Sequence, residues 1–133
     1  MKWTVLETEE MLRCRPFTVH RRRCRSATLD RTDDFFVLEA RDWANVVPLT
    51  PAGEIVCVRQ FRHGTGDFSV EVPAGLIDAS DADPAAAAVR ELREETGYRC
   101  AAIEPVGVLE PNPALFTNRC QGFLATGGEF EGA

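Results

Sequence analysis

Residues 71–98 read EVPAGLIDASDADPAAAAVRELREETGY, and the rest of the chain is organised around them. A short β-like run meets a glycine turn, an acidic loop follows, and a helix begins. Asp83 is a natural N-cap, Pro84 suits the first helical position, and residues 85–88 are all alanine. Gly97 is the natural stop. At about 100° per residue, Ala85, Val89, Leu92 and Thr96 share one stripe, with Ala88 on its border. Glu91, Glu94 and Glu95 fall on the adjoining arc. Locally this is unfavourable. Glu91 and Glu95 are a like-charge i,i+4 pair costing about 0.2–0.5 kcal/mol. All three carboxylates also crowd the negative pole of the helix dipole. Arg90 reaches Glu94 one turn on and Arg93 lies nearby, so compensation is partial.

A sequence that breaks a local rule often does so at a functional site. Three oxygen-donor side chains beside an open glycine turn suit magnesium or manganese, hard ions that keep several waters. Taken alone, the helix reads as a solvated Glu/Arg helix end. The turn before it changes the balance. Pro73-Ala74-Gly75 ends the extended run, and Gly75, lacking Cβ, tolerates close approach by a ligand or side chain.

Gly75, Arg90, Glu91, Leu92, Glu94, Glu95, Gly97 and Tyr98 resemble the Nudix hydrolase box, Gly-x5-Glu-x7-Arg-Glu-U-x-Glu-Glu-x-Gly-U, with U a bulky apolar residue. The box occupies residues 75–98. One departure is visible: the loop between Gly75 and Arg90 is one residue too long. Counting from the glycine puts the first box glutamate at Asp81; counting from the arginine puts it at Ala82. Either Asp81 holds the loop against Arg90 from a bulged path, or that contact is lost. A second stretch, VRQFRHG followed by SVEVPAGLID, is similar to the ADP-ribose pyrophosphatase branch of the same family. That branch carries an N-terminal strand extension.

The resemblance implies an α/β (α+β) fold: a mixed sheet with helices packed on it as an α/β/α sandwich, preceded by a β extension. Residues 1–40 would be the extension and 41–133 a C-terminally short core. It further implies Mg²⁺ or Mn²⁺ held by Glu91, Glu94, Glu95 and the carbonyl of Ala74. Arg90 would orient the glutamates, and Glu94 or Glu95 would take part in catalysis. Arg59, Arg62, Glu71, Gly75 and Leu76 would contact a nucleoside diphosphate sugar such as ADP-ribose. Members of the branch continue beyond the point where this sequence ends, with an acidic loop that often supplies the catalytic base, a strand and a closing helix. Either the sequence is a truncated version of something longer, or the base comes from Glu94, Glu95 or a partner subunit. The uncovered sheet face, together with the N-terminal strands, makes a homodimer the expected state. Two other readings stay open: a nucleoside triphosphate pyrophosphohydrolase, and a sensor or scaffold that keeps the fold without catalysis.

The remaining residues bound these readings. A chain of 133 residues fits one domain and buries roughly two-thirds of its unfolded surface. No run approaches the ~20 apolar residues of a membrane span, and the acids interrupting MKWTVLETEEML are unlike a signal peptide. A net charge of −6 argues against nucleic acid as the main partner. The cysteines at 14, 24, 57, 100 and 120 form no CxxC pair, so a reducing cytoplasm is the default setting.

In chain order, residues 3–6 read as a strand and 7–12 as a polar connection. Residues 17–26 read as an edge strand ending in a basic cluster. Arg21, Arg22, Arg23 and Arg25 there are either an anion contact or a charged edge that discourages pairing. Residues 32–34 read as a turn, and 35–40 and 43–49 as strands. Residues 50–53 form a proline–glycine turn, 54–62 a central strand, and 63–66 a flexible loop in which His63 has no catalytic partner. Arg59 and Arg62 could grip diphosphate oxygens through forked hydrogen bonds or simply solvate a strand end. After the helix, 101–110 read as a strand with a proline-marked edge or bulge, 111–119 as a loop and 120–126 as a strand. The resemblance makes Asn112, Asn118 and Arg119 weak substrate candidates against a plain loop. Glu129 and Glu131 read as a frayed end.

Overall fold

The computed structural model describes residues 2–132. The chain divides into two compact units. The first holds residues up to Arg41 together with Glu110–Arg119, and the second holds Asp42–Leu109 with the remainder. In the first, β1 (Thr4–Arg13), β2 (Thr18–Ser26) and β3 (Arg31–Glu39) form an antiparallel meander in that order.

Three sequence expectations change here. Residues 7–12 are strand rather than connection, residues 17–26 supply the central rather than the edge strand, and residues 32–34 are strand rather than turn. The cause is charge pairing across strands, which a local reading of either strand cannot see. Glu7, Glu9 and Glu10 stand opposite Arg23, Arg21 and His20, and Arg21 bonds Glu9 at 2.5 Å. The basic run is therefore not a bare edge that repels pairing; it is the middle of a sheet, answered by acids. The reversal comes at residues 27–30, where Asp30 takes φ 46° and Ser26 Oγ accepts from the Leu29 amide. The 110–119 loop is pinned to β3 by Leu38 N–H to Leu115 O and by Thr117 N–H to Leu38 O.

In the second unit, β4 (Trp43–Leu49), β7 (Ala74–Leu76), β9 (Ala102–Leu109) and β10 (Cys120–Thr126) form a mixed sheet in the order β7-β4-β10-β9. The β4–β10 pair is parallel and the others are antiparallel. Helix α1 (Pro84–Thr96) packs on one face. Its caps are those expected: Asp83 accepts from the Ala86 amide, and Gly97 turns left-handed at φ 71°. Ala87, Ala88 and Leu92 bury against Ala44, Val46, Phe123 and Ala125. Small residues on both surfaces bring helix and sheet backbones close together. The buried face is rotated from the expected stripe toward the glutamates, so Val89 is only half-buried while Ala87 is fully buried. The mixed sheet with a helix on it is the expected α/β arrangement. Among the described residues α1 is the one helix, so the second helical layer of an α/β/α sandwich is not found there. No described helix is long and apolar enough to cross a membrane.

Residues 54–62 do not form a central strand. Only β5 (Val58–Arg62) is regular, and it pairs solely with β6 (Asp67–Glu71) in a two-stranded ribbon. Its apolar residues lie outside the core: Phe61 and Phe68 pack on each other across the ribbon at 5.6 Å and stay exposed. The 50–53 turn closes as expected, Gly53 N–H reaching Thr50 O at 2.9 Å. β9 is an edge strand, and its register slips opposite Gly122–Phe123, next to Pro105, as the proline indicated. The chain end is not frayed as far as it is described. β11 (Glu129–Phe130) pairs with β8 (Tyr98–Arg99), and Glu131 bonds Arg99 at 3.0 Å.

Leu92 is the largest fully buried side chain between helix and sheet. Leu92→Ala should destabilise the protein by about 3 kcal/mol through lost transfer energy and a residual cavity, read from urea unfolding with the m-value unchanged.

Candidate active site

The edge strand β7 ends the 71–73 segment and lies along β4, with Ala74 opposite Asn45 and Gly75 opposite Ala44. Val46 N–H bonds Pro73 O and Ile77 N–H bonds Asp42 O. That spacing turns the amide and carbonyl of Ala74 away from β4, toward the outer edge of the sheet. There the Ala74 amide donates to Glu95 Oε2 at 3.1 Å. Gly75 is required by a different contact: a Cβ built on it would overlap the carboxyl group of Glu91. The strand thus lets the Glu91 side chain, 14% exposed, lie flat against its backbone.

Arg90 ties the arrangement together. Its Nε and Nη2 fork onto the two oxygens of Asp81 at 3.0 Å each, and Nη2 also donates to Leu76 O at 3.0 Å. Nη1 donates to Glu91 Oε1 at 2.7 Å and Glu94 Oε2 at 3.1 Å. Asp78 lies 3.7 Å from Nη2. The carboxylates push the Arg90 pKa upward, so the guanidinium is a permanent charge. The overlong loop therefore keeps its contact. Asp81, 6% exposed, reaches Arg90 and also accepts from the Asp78 amide at 2.8 Å; both bonds hold its pKa down. One extra residue is absorbed in the turn over residues 78–81, where Asp81 N–H returns to Asp78 O.

A second arginine stands on the ribbon. Arg62 forks onto Glu71, Nε to Oε1 at 2.9 Å and Nη2 to Oε2 at 2.5 Å. That fork first, with a hydrogen bond from Ser69, lowers the Glu71 pKa to about 2. Glu95 goes the other way. Partial desolvation raises its pKa, and the charges of Glu91 and Glu71 add to the rise. The Ala74 amide and the Arg62 charge oppose it.

Of the residues singled out in the sequence, Arg90, Glu91, Glu94, Glu95, Ala74, Gly75 and Leu76 form one contiguous cluster, with Arg62 and Glu71 close enough to act on Glu95. Arg59 is not brought to it. Alternation along β5 puts Arg59 on the opposite ribbon face from Arg62, where its guanidinium lies 4.2 Å from the Phe68 ring centre. The two arginines do not converge on one diphosphate. Asn112, Asn118 and Arg119 belong to the other unit, where Asn118 Nδ2 donates to Arg41 O at 3.2 Å. Two participants went unassigned in the sequence. Ser69 could have been found from its period-two spacing to Glu71. Asp78 carried no signal beyond its place in an acidic loop.

The donor set suits a hard divalent ion. Glu91 and Glu95 flank the Gly75 turn, the Ala74 carbonyl faces outward, and Glu95 sits among like charges that disfavour its ionised form. Among the described residues, no three acidic, histidine or cysteine side chains already converge at ligating distance. Glu91 and Glu94 lean instead on Arg90. The residues present fit such an ion by chemistry and by position.

A NUDIX domain model matches residues 40–126. An ADP-ribose pyrophosphatase of Mycobacterium tuberculosis is 35% identical over 82 residues, 62% of this chain and 40% of that protein. An ADP-ribose pyrophosphatase of Bacillus subtilis is 34% identical over 80 residues, 60% of this chain and 43% of that protein. The chain thus spans less than half the length of these curated relatives. Among solved structures, an ADP compounds hydrolase shares the fold, with a TM-score of 0.87 at 23% identity over 100% of this chain and 71% of that one.

Gly75→Ala should leave the thermal midpoint within a few degrees, because only the mobile end of Glu91 must move. Any turnover should fall at least about tenfold as Glu91 is displaced; equal turnover in both proteins would show that the close approach is irrelevant to activity. The Arg62–Glu71 fork has its own pH signature. A carboxyl with a lowered folded pKa contributes stability above its unfolded pKa and loses it as pH falls through the folded value. The stability difference between wild type and Arg62→Ala should therefore hold from neutral pH to about 4.5 and shrink between there and about 2, as followed by denaturant unfolding across that range.

Proposed function

The chain belongs to the Nudix family, and on that premise we propose that it is a metal-dependent hydrolase of a nucleoside diphosphate sugar, ADP-ribose or a close analogue. The observation that carries this reading is the placing of Glu91 and Glu95, near the end of α1, against a glycine strand, with Glu94 held beside them by Arg90 and with Arg62 and Glu71 acting on Glu95. The ADP-ribose pyrophosphatases among the relatives support the substrate class.

Magnesium or manganese, held by Glu91, Glu94, Glu95 and the Ala74 carbonyl, would supply neutralising charge for the diphosphate oxygens. The chain's own residues do the rest. Arg90 fixes the directions of Glu91 and Glu94 and clamps the loop through Asp81. Arg62, stiffened by Glu71, presents a guanidinium to the substrate, while Gly75 and Leu76 offer backbone at the strand edge. Glu94 or Glu95 accepts the proton of a water that attacks one diphosphate phosphorus. The P–O bond to the bridging oxygen breaks, and ADP-ribose plus water gives AMP and ribose 5-phosphate.

The same reading places the chain in a reducing cytoplasm, in keeping with five free thiols, and in a homodimer. Val106, Val108 and Leu109 on β9, from 58% to 71% exposed, are apolar surface such an assembly would cover.

Phosphatase-coupled phosphate release from ADP-ribose, with and without Mg²⁺, tests the reading. Turnover should require the ion and fall by at least about 100-fold in Glu95→Gln. Activity confined to nucleoside triphosphates would assign another Nudix substrate. Metal-dependent binding of ADP-ribose without cleavage would make the protein a sensor.

A further inference from the structure

One face of the β5–β6 ribbon holds a polar group that the proposed hydrolase leaves unused. Directly opposed residues of an antiparallel pair share a face, and faces alternate along each strand. Val58 with Glu71, Gln60 with Ser69, and Arg62 with Asp67 therefore lie on one side. Arg59, Phe61, Phe68 and Val70 lie on the other and are exposed. The first side is the one that acts on Glu95, through the charges of Arg62 and Glu71. Gln60 and Ser69, midway along it, are half-buried. The Gln60 Nε2 atom is buried and has no hydrogen-bond partner. A carboxamide nitrogen carries two donor hydrogens, and a buried donor left unpaired costs free energy that native structures seldom accept.

The path of Arg62 accounts for the burial. The acid directly across from it is Asp67, whose carboxylate instead accepts from the Phe68 amide at 2.7 Å. Arg62 turns back along the ribbon to Glu71, which stands opposite Val58, four residues away. At about 3.4 Å per residue that is a span of about 14 Å, so the two side chains meet over the Gln60–Ser69 pair. The fork roofs the Gln60 amide. It uses two of the five guanidinium donors, leaving three for an anion. An anion that draws the guanidinium off the ribbon surface opens the amide beneath it.

We propose that Gln60 is a further substrate-binding residue, donating through Nε2 to a diphosphate oxygen once Arg62 has moved onto the same diphosphate. The inference rests on the proposed hydrolase reading for its ligand. It gives the Gln60 amide a task in the complex and none in the free protein.

The chain has two glutamines, Gln60 and Gln121, so ¹⁵N labelling of glutamine side chains gives two NH₂ signals, and Gln60→Met assigns them by removing one. With Mg²⁺ present, α,β-methylene ADP, a diphosphate analogue that resists cleavage, should shift the Gln60 signal saturably and leave Gln121 in place. In ADP-ribose hydrolysis, Gln60→Met should raise KM at least about tenfold and lower kcat much less, because a bond to the diphosphate kept from ground state to transition state is lost from both. In urea unfolding the same variant should match or exceed the wild type, since it removes an unpaired buried donor. A Gln60 signal unmoved at saturation, an unchanged KM, or a destabilised Gln60→Met would each overturn the proposal; the last would mean that the amide is paired in the free protein. A Gln60 response to the analogue with no turnover of ADP-ribose would sink the hydrolase reading and uphold this one. Turnover with Gln60 silent would do the reverse.

Discussion

The second unit depends on one cation placed among carboxylates at the pole of a helix where carboxylates do not belong. Without Arg90, Glu91 and Glu94 would face each other and the helix C-terminus with only water between them. With it, the same side chain also grips Asp81 and the carbonyl of Leu76. A single guanidinium therefore fixes three things together: the loop path, the strand position and the direction of two glutamates. Its planar fork makes this possible, since five donors in one plane can serve several acceptors without a rotamer change. Lysine could keep the charge but not the geometry.

That arrangement works because the residues at the contact are small. Ala87 and Ala88 let α1 settle onto Ala44 and Val46, and Gly75 leaves room for the Glu91 carboxylate against β7. Small residues on both sides of the contact thus serve packing and site together. A larger residue at Ala88 would lift the helix and withdraw Glu91 and Glu95 from the strand. Core and site are not separable in this part of the molecule.

The parts of the structure that were legible in the sequence are those fixed by neighbours along the chain. Asp83, Pro84 and Gly97 set both ends of α1 through bonds spanning a few residues, and Pro105 marked the irregular edge of β9. The misread parts depend on partners distant in sequence. Residues 7–12 carry no alternation of apolar and polar side chains, and they become strand only because Arg21 and Arg23 stand opposite. Residues 54–62 look apolar enough for a sheet centre, but Phe61 finds its partner in Phe68 across a two-stranded ribbon. In the site, the box positions were readable through their resemblance to the family motif. Two geometric facts were not: that Asp81 reaches Arg90 despite the extra residue, and that Arg59 and Arg62 point to opposite faces. Both depend on where the chain turns, at 78–81 and along the ribbon.

The charges in the cluster are unevenly answered, and that bears on where a cation would act. Glu91 and Glu94 share Arg90, Asp81 is forked by the same arginine, and Glu71 has Arg62. Glu95 has only the neutral Ala74 amide as its hydrogen-bond donor, with Glu91 and Glu71 nearby. Burial and the neighbouring carboxylates disfavour its ionised form. A divalent ion would gain least where an arginine already sits and most where charge is left over, which is beside Glu95 and the outward carbonyl of Ala74. On the proposed reading, the two arginines divide the work by leaving that gap. Arg90 holds its neighbours still, and Arg62, bound to Glu71, stays near enough to meet the substrate without neutralising Glu95.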